Sequence, residues 1–144
     1  SDLEASIWFS QGAKLPAVTA CRANAVASDA AASDDSDLRN IVHLGTQLTS
    51  SSLALGEKLN ASGKDVLRAM ILGYETAGRI AESIMPGYRD LGFHGSLPAS
   101  FGAAVAAGCM LKLTPPQMAQ AIALTAVSMG GLATAADTSE AREY

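Results

Sequence analysis

Hydrophobic positions along the chain recur mostly at three- and four-residue steps, and the breaks between them are built from Gly, Pro, Ser, Asn and Asp. Residues 1–14 differ: Ile7, Trp8 and Phe9 form a short apolar alternation before Gly12, which predicts an extended lead-in to a helix. Pro16 suits the first helical turn, where its missing N–H would have no partner anyway, and a helix is expected over residues 16–32. The run Ser33, Asp34, Asp35, Ser36, Asp37 is polar turn chemistry. A second helix follows His43 and covers 48–59, with Leu48, Leu55 and Leu59 on one face, and residues 60–63 break it. Ser62 and Asp65 then form a pattern close to a capping box, in front of the most periodic stretch in the chain. Leu67, Met70, Ile71, Tyr74, Ala77 and Ile84 mark its apolar face, while Gly73 and Ala77 leave room for a neighbouring backbone. Pro86 and Gly87 end it. A fourth helix over 98–111 is small or apolar at nearly every position and is therefore expected to be buried all round. Thr114, Pro115 and Gln117 make a helix start, and the fifth helix runs to about residue 129, stopped by Gly130 and Gly131. Nothing reads as a sheet. The predicted fold is all-α, a multi-helix bundle.

Composition sharpens this picture. Hydrophobic residues make up 49% of the 144, with aromatics at only 5%, so the apolar content comes largely from alanine. Small side chains that still bury point to helices that approach closely. A net charge of −4 argues against a nucleic-acid binder, which needs a basic stripe to displace counterions from phosphates. No apolar run approaches the roughly 20 residues a membrane span requires. Cys21 and Cys109 form neither a metal signature nor a disulfide framework, and both are expected as buried free thiols. No signal-peptide pattern opens the sequence, so a cytoplasmic location is the expectation.

Chemistry has three polar places to sit, each at a helix boundary: Asp34 and Asp35 with His43, then Phe93 with His94, then the run from Thr138 through Ser139 and Arg142 to Tyr144. His43 and His94 are the only histidines, and each precedes a helix of small residues. A helix N-terminus favours anions and disfavours an imidazolium, which keeps a histidine neutral and able to act as a base or a hydrogen-bond donor. Read one at a time, these residues have structural explanations: satisfied histidines, an acidic turn, and a surface ion pair at Arg142.

Their order carries more. The stretch NAVASDAAASDD over residues 24–35 resembles the N-G-x-x-x-H-x-x-D-x-D-D segment of the MmgE/PrpD family, which includes 2-methylcitrate dehydratase. His43 falls at the position of the family's HPS-type histidine. Residues 62–75, SGKDVLRAMILGYE, resemble the G-x-x-x-L-x-A-x-x-x-G-Y/I-E helix. Gly92, Phe93 and His94 match the G-F/W-H loop, FGAAVAA at 101–107 the Ala-rich helix after it, and SEAREY at 139–144 a later substrate loop.

The resemblance implies a homodimer whose subunits pair a large helical domain with a smaller α+β domain, the active site lying in the cleft between them. On that basis residues 1–144 are expected to be part of the helical domain, without its first helices or the second domain, and inactive by themselves. Family activities include dehydration of 2-methylcitrate, decarboxylation of cis-aconitate and epimerisation of iminodisuccinate, none known to need a metal or organic cofactor. Carried over by position, the catalytic candidates are His43, His94 and Asp35, and the substrate-binding candidates are Arg142, Asp34 and Ser139. Arg142, which stands where decarboxylase relatives carry a lysine, would grip a carboxylate bidentately. Two positions depart from the pattern: Asp29 stands for the family histidine and Ala32 for the first acid of D-x-D-D. Two functions are therefore expected in competition. One is a cofactor-independent lyase or isomerase of small polycarboxylic acids; the other is a non-catalytic helical dimerisation or ligand-binding relative.

Overall fold

The computed structural model describes residues 2–31, 33–40 and 42–133. A two-stranded antiparallel hairpin, β1 (Ala5–Ser6) and β2 (Lys14–Leu15), precedes helices α1 (Ala17–Ala30), α2 (Gly45–Leu59), α3 (Gly63–Ile84), the single turn α4 (Gly87–Asp90), α5 (Leu97–Met110) and α6 (Pro115–Ser128). The helices dominate, as the periodicity predicts, and α5 is the central element, packed against α3, α2 and α6. No position of α5 is exposed, which matches a sequence that is small or apolar at nearly every position, Ser100 being the exception.

The hairpin corrects the expectation of no sheet. It is held by side chains distant in sequence. Buried Asn24 on α1 accepts from the Trp8 N–H at 2.9 Å and donates to the Ser6 carbonyl at 2.9 Å, acting as one more strand edge. Glu57 on α2 accepts from the Ser6 N–H at 3.0 Å and from its hydroxyl at 2.7 Å, with Lys14 at 3.4 Å. Glu4 caps the start of α1 through the Ala17 N–H at 3.0 Å and pairs with Lys58 at 3.0 Å.

These two carboxylates give the hairpin a pH dependence. The Ala17 N–H, and then Lys58, hold Glu4 below its ordinary value. Burial pushes Glu57 upward, but Ser6 and Lys14 together outweigh it and leave that carboxyl lowered as well. A depressed carboxyl stabilises the fold above its unfolded pKa, about 4.3 for Glu, and the contribution is lost as pH falls through the folded value. Protection of the Ser6 and Ala17 amides, taken relative to their intrinsic exchange rates, is therefore expected to fall as pH drops below about 4.3, before the α3–α5 core opens. Glu57→Gln should make Ser6 protection less sensitive to pH over that window; an unchanged profile would show that Glu57 does not hold the strand.

The apolar face of α3 is also corrected. Its buried positions are the small ones, Val66, Ala69, Gly73, Ala77, Gly78 and Ala81, while Leu67 and Ile71 are 61% and 67% exposed. The reason is the crossing with α5. A Cβ built on Gly102 would lie 2.6 Å from the Gly73 carbonyl oxygen and 2.9 Å from the Ala77 Cβ, so only small residues fit between the two backbones. Helix starts agree with the local sequence: Ser62 accepts from the Asp65 N–H at 3.1 Å, and the Thr114 N–H donates to Gln117 Oε1 at 2.9 Å. Cys21 and Cys109 are free but only partly buried. Burial pushes the Cys21 thiol up, with Ser50 opposing in part. Among the described residues no helix is long and apolar enough to cross a membrane.

Candidate functional site

The segment between α1 and α2 carries Asp34, Asp35 and His43, and its own sequence explains how it is held. Asp37 pairs with Val42 in an isolated antiparallel bridge, closed by a turn in which Arg39 and Asn40 donate to the Asp37 carboxylate. Buried Asn40 also donates to the Gly78 carbonyl at 3.2 Å, which ties the turn to α3. Val42 and Leu44 are fully buried, and with Leu48, Ala77, Ala81 and Ala99 they form the main core cluster. His43 alternates outward between them. Its side chain is 48% exposed on a backbone fixed by both neighbours.

Around the His43 ring the acceptors converge on one nitrogen. Nδ1 lies 2.9 Å from the Asp35 carbonyl oxygen, 3.3 Å from Ser36 Oγ and 3.4 Å from Asp34 Oδ2. A carbonyl oxygen only accepts, so Nδ1 carries a proton, and in the neutral ring Nε2 then keeps the lone pair. The Asp34 carboxylate, 14% exposed, faces the same N–H.

The Asp35 carboxylate is engaged from two helices. Oδ1 accepts from the Gly45 N–H at 2.7 Å, at the first residue of α2, and Oδ2 accepts from the Tyr74 hydroxyl of α3 at 2.8 Å. Thus a side chain of the protein itself fills the anionic place that the start of α2 offers, and α2 begins at Gly45, earlier than its apolar spacing indicates. Any side chain at position 45 would press on Asp35 and come within 3.0 Å of the Tyr74 oxygen, which explains the glycine. Burial, then the neighbouring Asp35, push the Tyr74 phenol far above its ordinary value, so it remains a donor.

His94 lies before α5, half-buried. Its Nδ1 accepts from the Ser96 N–H at 3.2 Å, so its neutral ring carries the proton on Nε2, the opposite tautomer to His43. The His94 N–H donates to the Gly131 carbonyl at 3.1 Å, and Phe93 bridges to Leu132, so the chain after α6 returns to this loop. Gln47 connects the two histidine-bearing ends. In the first turn of α2, it donates to the Ser96 carbonyl at 3.3 Å and accepts from Ser100 at 3.1 Å. The starts of α2 and α5 are thereby held side by side.

The structure thus gathers Asp34, Asp35 and His43 and sets His94 at the neighbouring helix start. Ser139 and Arg142 lie outside the described residues. Tyr74 and Gln47 are the members that sequence reasoning missed. Spacing marks Tyr74 only as a core position of α3, and the one signal for more is its place in the G-Y-E pattern. Among the described residues no group of three or more His, Cys, Asp or Glu side chains is placed to hold a metal ion.

Comparison with curated proteins and with solved structures gives no match. Residues 1–143 match the family model for the MmgE/PrpD N-terminal domain, nearly the whole chain. On that match, and in keeping with its helical fold and ordered motifs, the chain belongs to the MmgE/PrpD family.

Proposed function

We propose that this domain supplies the acid/base groups of a cofactor-independent lyase or isomerase acting on small polycarboxylic acids. The observation that carries the reading is a pair of histidines at adjoining helix starts, one with its Nδ1 against a carbonyl acceptor and the other with its Nδ1 against an N–H donor, which sets opposite neutral tautomers. His43 keeps the Nε2 lone pair and is the base that removes a proton beside a substrate carboxylate. His94 keeps an Nε2–H and is the acid or hydrogen-bond donor toward the departing or reprotonated group. Asp34 belongs with His43 rather than with the ligand, because an anion 3.4 Å from the base faces its N–H and would repel a polycarboxylate. Asp35 orients rather than reacts, since both of its oxygens already accept hydrogen bonds. Arg142 and Ser139 remain the candidates for holding substrate carboxylates, and a homodimer with a cleft completed by a second domain remains part of the proposal.

Screening the full-length protein against di- and tricarboxylates by proton NMR tests this. Product is expected from at least one of them, with turnover falling at least tenfold in His94→Ala. Absence of product across a broad panel would sink the reading.

The second reading, a non-catalytic relative, is favoured by Asp29 and Ala32, which stand where the family has a histidine and an acid. It predicts polycarboxylate binding or dimer formation with no chemistry, unchanged by replacing either histidine.

A further inference from the structure

Asp35 reaches His43 through its backbone, not its carboxylate. The carbonyl oxygen of residue 35 is the nearest acceptor to His43 Nδ1, at 2.9 Å, while the side chain of the same residue spans α2 and α3. A peptide in an exposed acidic turn is ordinarily free to rotate, and this one is fastened by its own side chain at both oxygens. Of the two fastenings, the Gly45 N–H is part of the backbone beside His43 itself. The other, Tyr74, stands on α3 and packs against the core cluster that contains Val42 and Leu44, so it holds residue 35 to an independent element, as Asn40 holds the far side of the turn through Gly78.

We propose that Tyr74 is the positioning residue for His43: its hydroxyl pins the Asp35 carboxylate, which sets the Asp35 carbonyl and so fixes the His43 tautomer with the lone pair on Nε2. The proposal rests on the reading of His43 as the base, but it concerns the ring and can be measured without substrate. With the hydroxyl removed, Asp35 keeps one anchor and its peptide turns more freely. Ser36 Oγ, at 3.3 Å from Nδ1, can donate as well as accept, so it supports either tautomer, and only the longer 3.4 Å contact from Asp34 then still favours the proton on Nδ1. The Tyr74 phenol is suited to the task because burial and the adjacent carboxylate keep it protonated across the working pH range.

Long-range nitrogen–proton NMR of the histidine rings reads this directly in wild type and Tyr74→Phe. Wild type is expected to show His43 as one neutral tautomer, protonated at Nδ1. Tyr74→Phe should show a mixture at His43 with the His94 ring unchanged. In the full-length protein, kcat should fall about tenfold with KM within twofold. A folded Tyr74→Phe protein whose His43 keeps a single Nδ1–H tautomer overturns the proposal. If Tyr74→Phe does not fold, Asp35→Asn carries the same test, because an amide cannot accept from both Gly45 and Tyr74. A tautomer change in a protein that turns over no polycarboxylate would uphold the positioning role and remove the catalytic reading instead.

Discussion

Replacing His43 by asparagine is expected to lower turnover of the full-length protein roughly 10²–10⁴-fold, the range that one positioned acid/base group contributes. The argument rests on what asparagine keeps and what it loses. Its amide can still donate toward the Asp35 carbonyl, so the turn retains a hydrogen bond at that point. It has no lone pair basic enough to remove a proton, so the chemical step loses its acceptor. Binding should change little, because the residue faces outward between Val42 and Leu44 and leaves both in the core. Stability should likewise stay within about 0.5 kcal/mol of wild type, as for other exposed substitutions. Steady-state kinetics with a parallel thermal melt check both halves. Full activity in a folded His43→Asn protein would remove His43 from the chemistry.

The largest expected effect on stability lies away from the histidines, at Gly102. The contact that a Cβ would make there is with the backbone carbonyl of Gly73, at 2.6 Å, and not with a flexible side-chain tip. One helix must therefore move, and α3 and α5 are the most extensively packed pair in the fold. Gly102→Val is expected to destabilise by about 1–3 kcal/mol, the usual cost of overpacking a well-filled core, or somewhat more. Gly102→Ala gains up to about 1 kcal/mol of helix propensity but meets the same carbonyl, so it should fall between wild type and the valine variant. Gly63→Ala is the control. That position has nothing within 4 Å of an added Cβ, and the change should stabilise by about 0.4–1 kcal/mol. Urea unfolding of the three variants orders them, and a neutral Gly102→Val would mean that the α3–α5 crossing is looser than described.

The contrast between these two sites shows what the sequence could reveal. Helix starts at Ser62 and Thr114 were readable because cap and partner lie three residues apart. The burial of α5 was readable because its composition leaves no polar face. The inward face of α3 was not. Periodicity ranks large apolar side chains first, whereas the close crossing selects glycine and alanine and leaves Leu67 and Ile71 outside. The extended lead-in is legible in the sequence, but its pairing into a hairpin is not, because the two-residue strands depend on Asn24 and on Glu57, which lies far along the chain. The same holds for the site. His43 and His94 stood out as the only histidines, but their opposite tautomers depend on a carbonyl at residue 35 and an amide at residue 96. The link from Tyr74 to Asp35 joins elements that no local pattern connects.

The division of labour between the two histidines is the central claim, and proton exchange into substrate tests it most directly. The full-length protein, incubated with a polycarboxylate substrate in heavy water, is followed by proton NMR for loss of the C–H signal beside a carboxylate and for product. The account predicts that His43→Asn loses both exchange and product, whereas His94→Asn still exchanges that proton but forms product at least tenfold more slowly. Exchange that survives in His43→Asn and disappears in His94→Asn would contradict the assignment of base and acid.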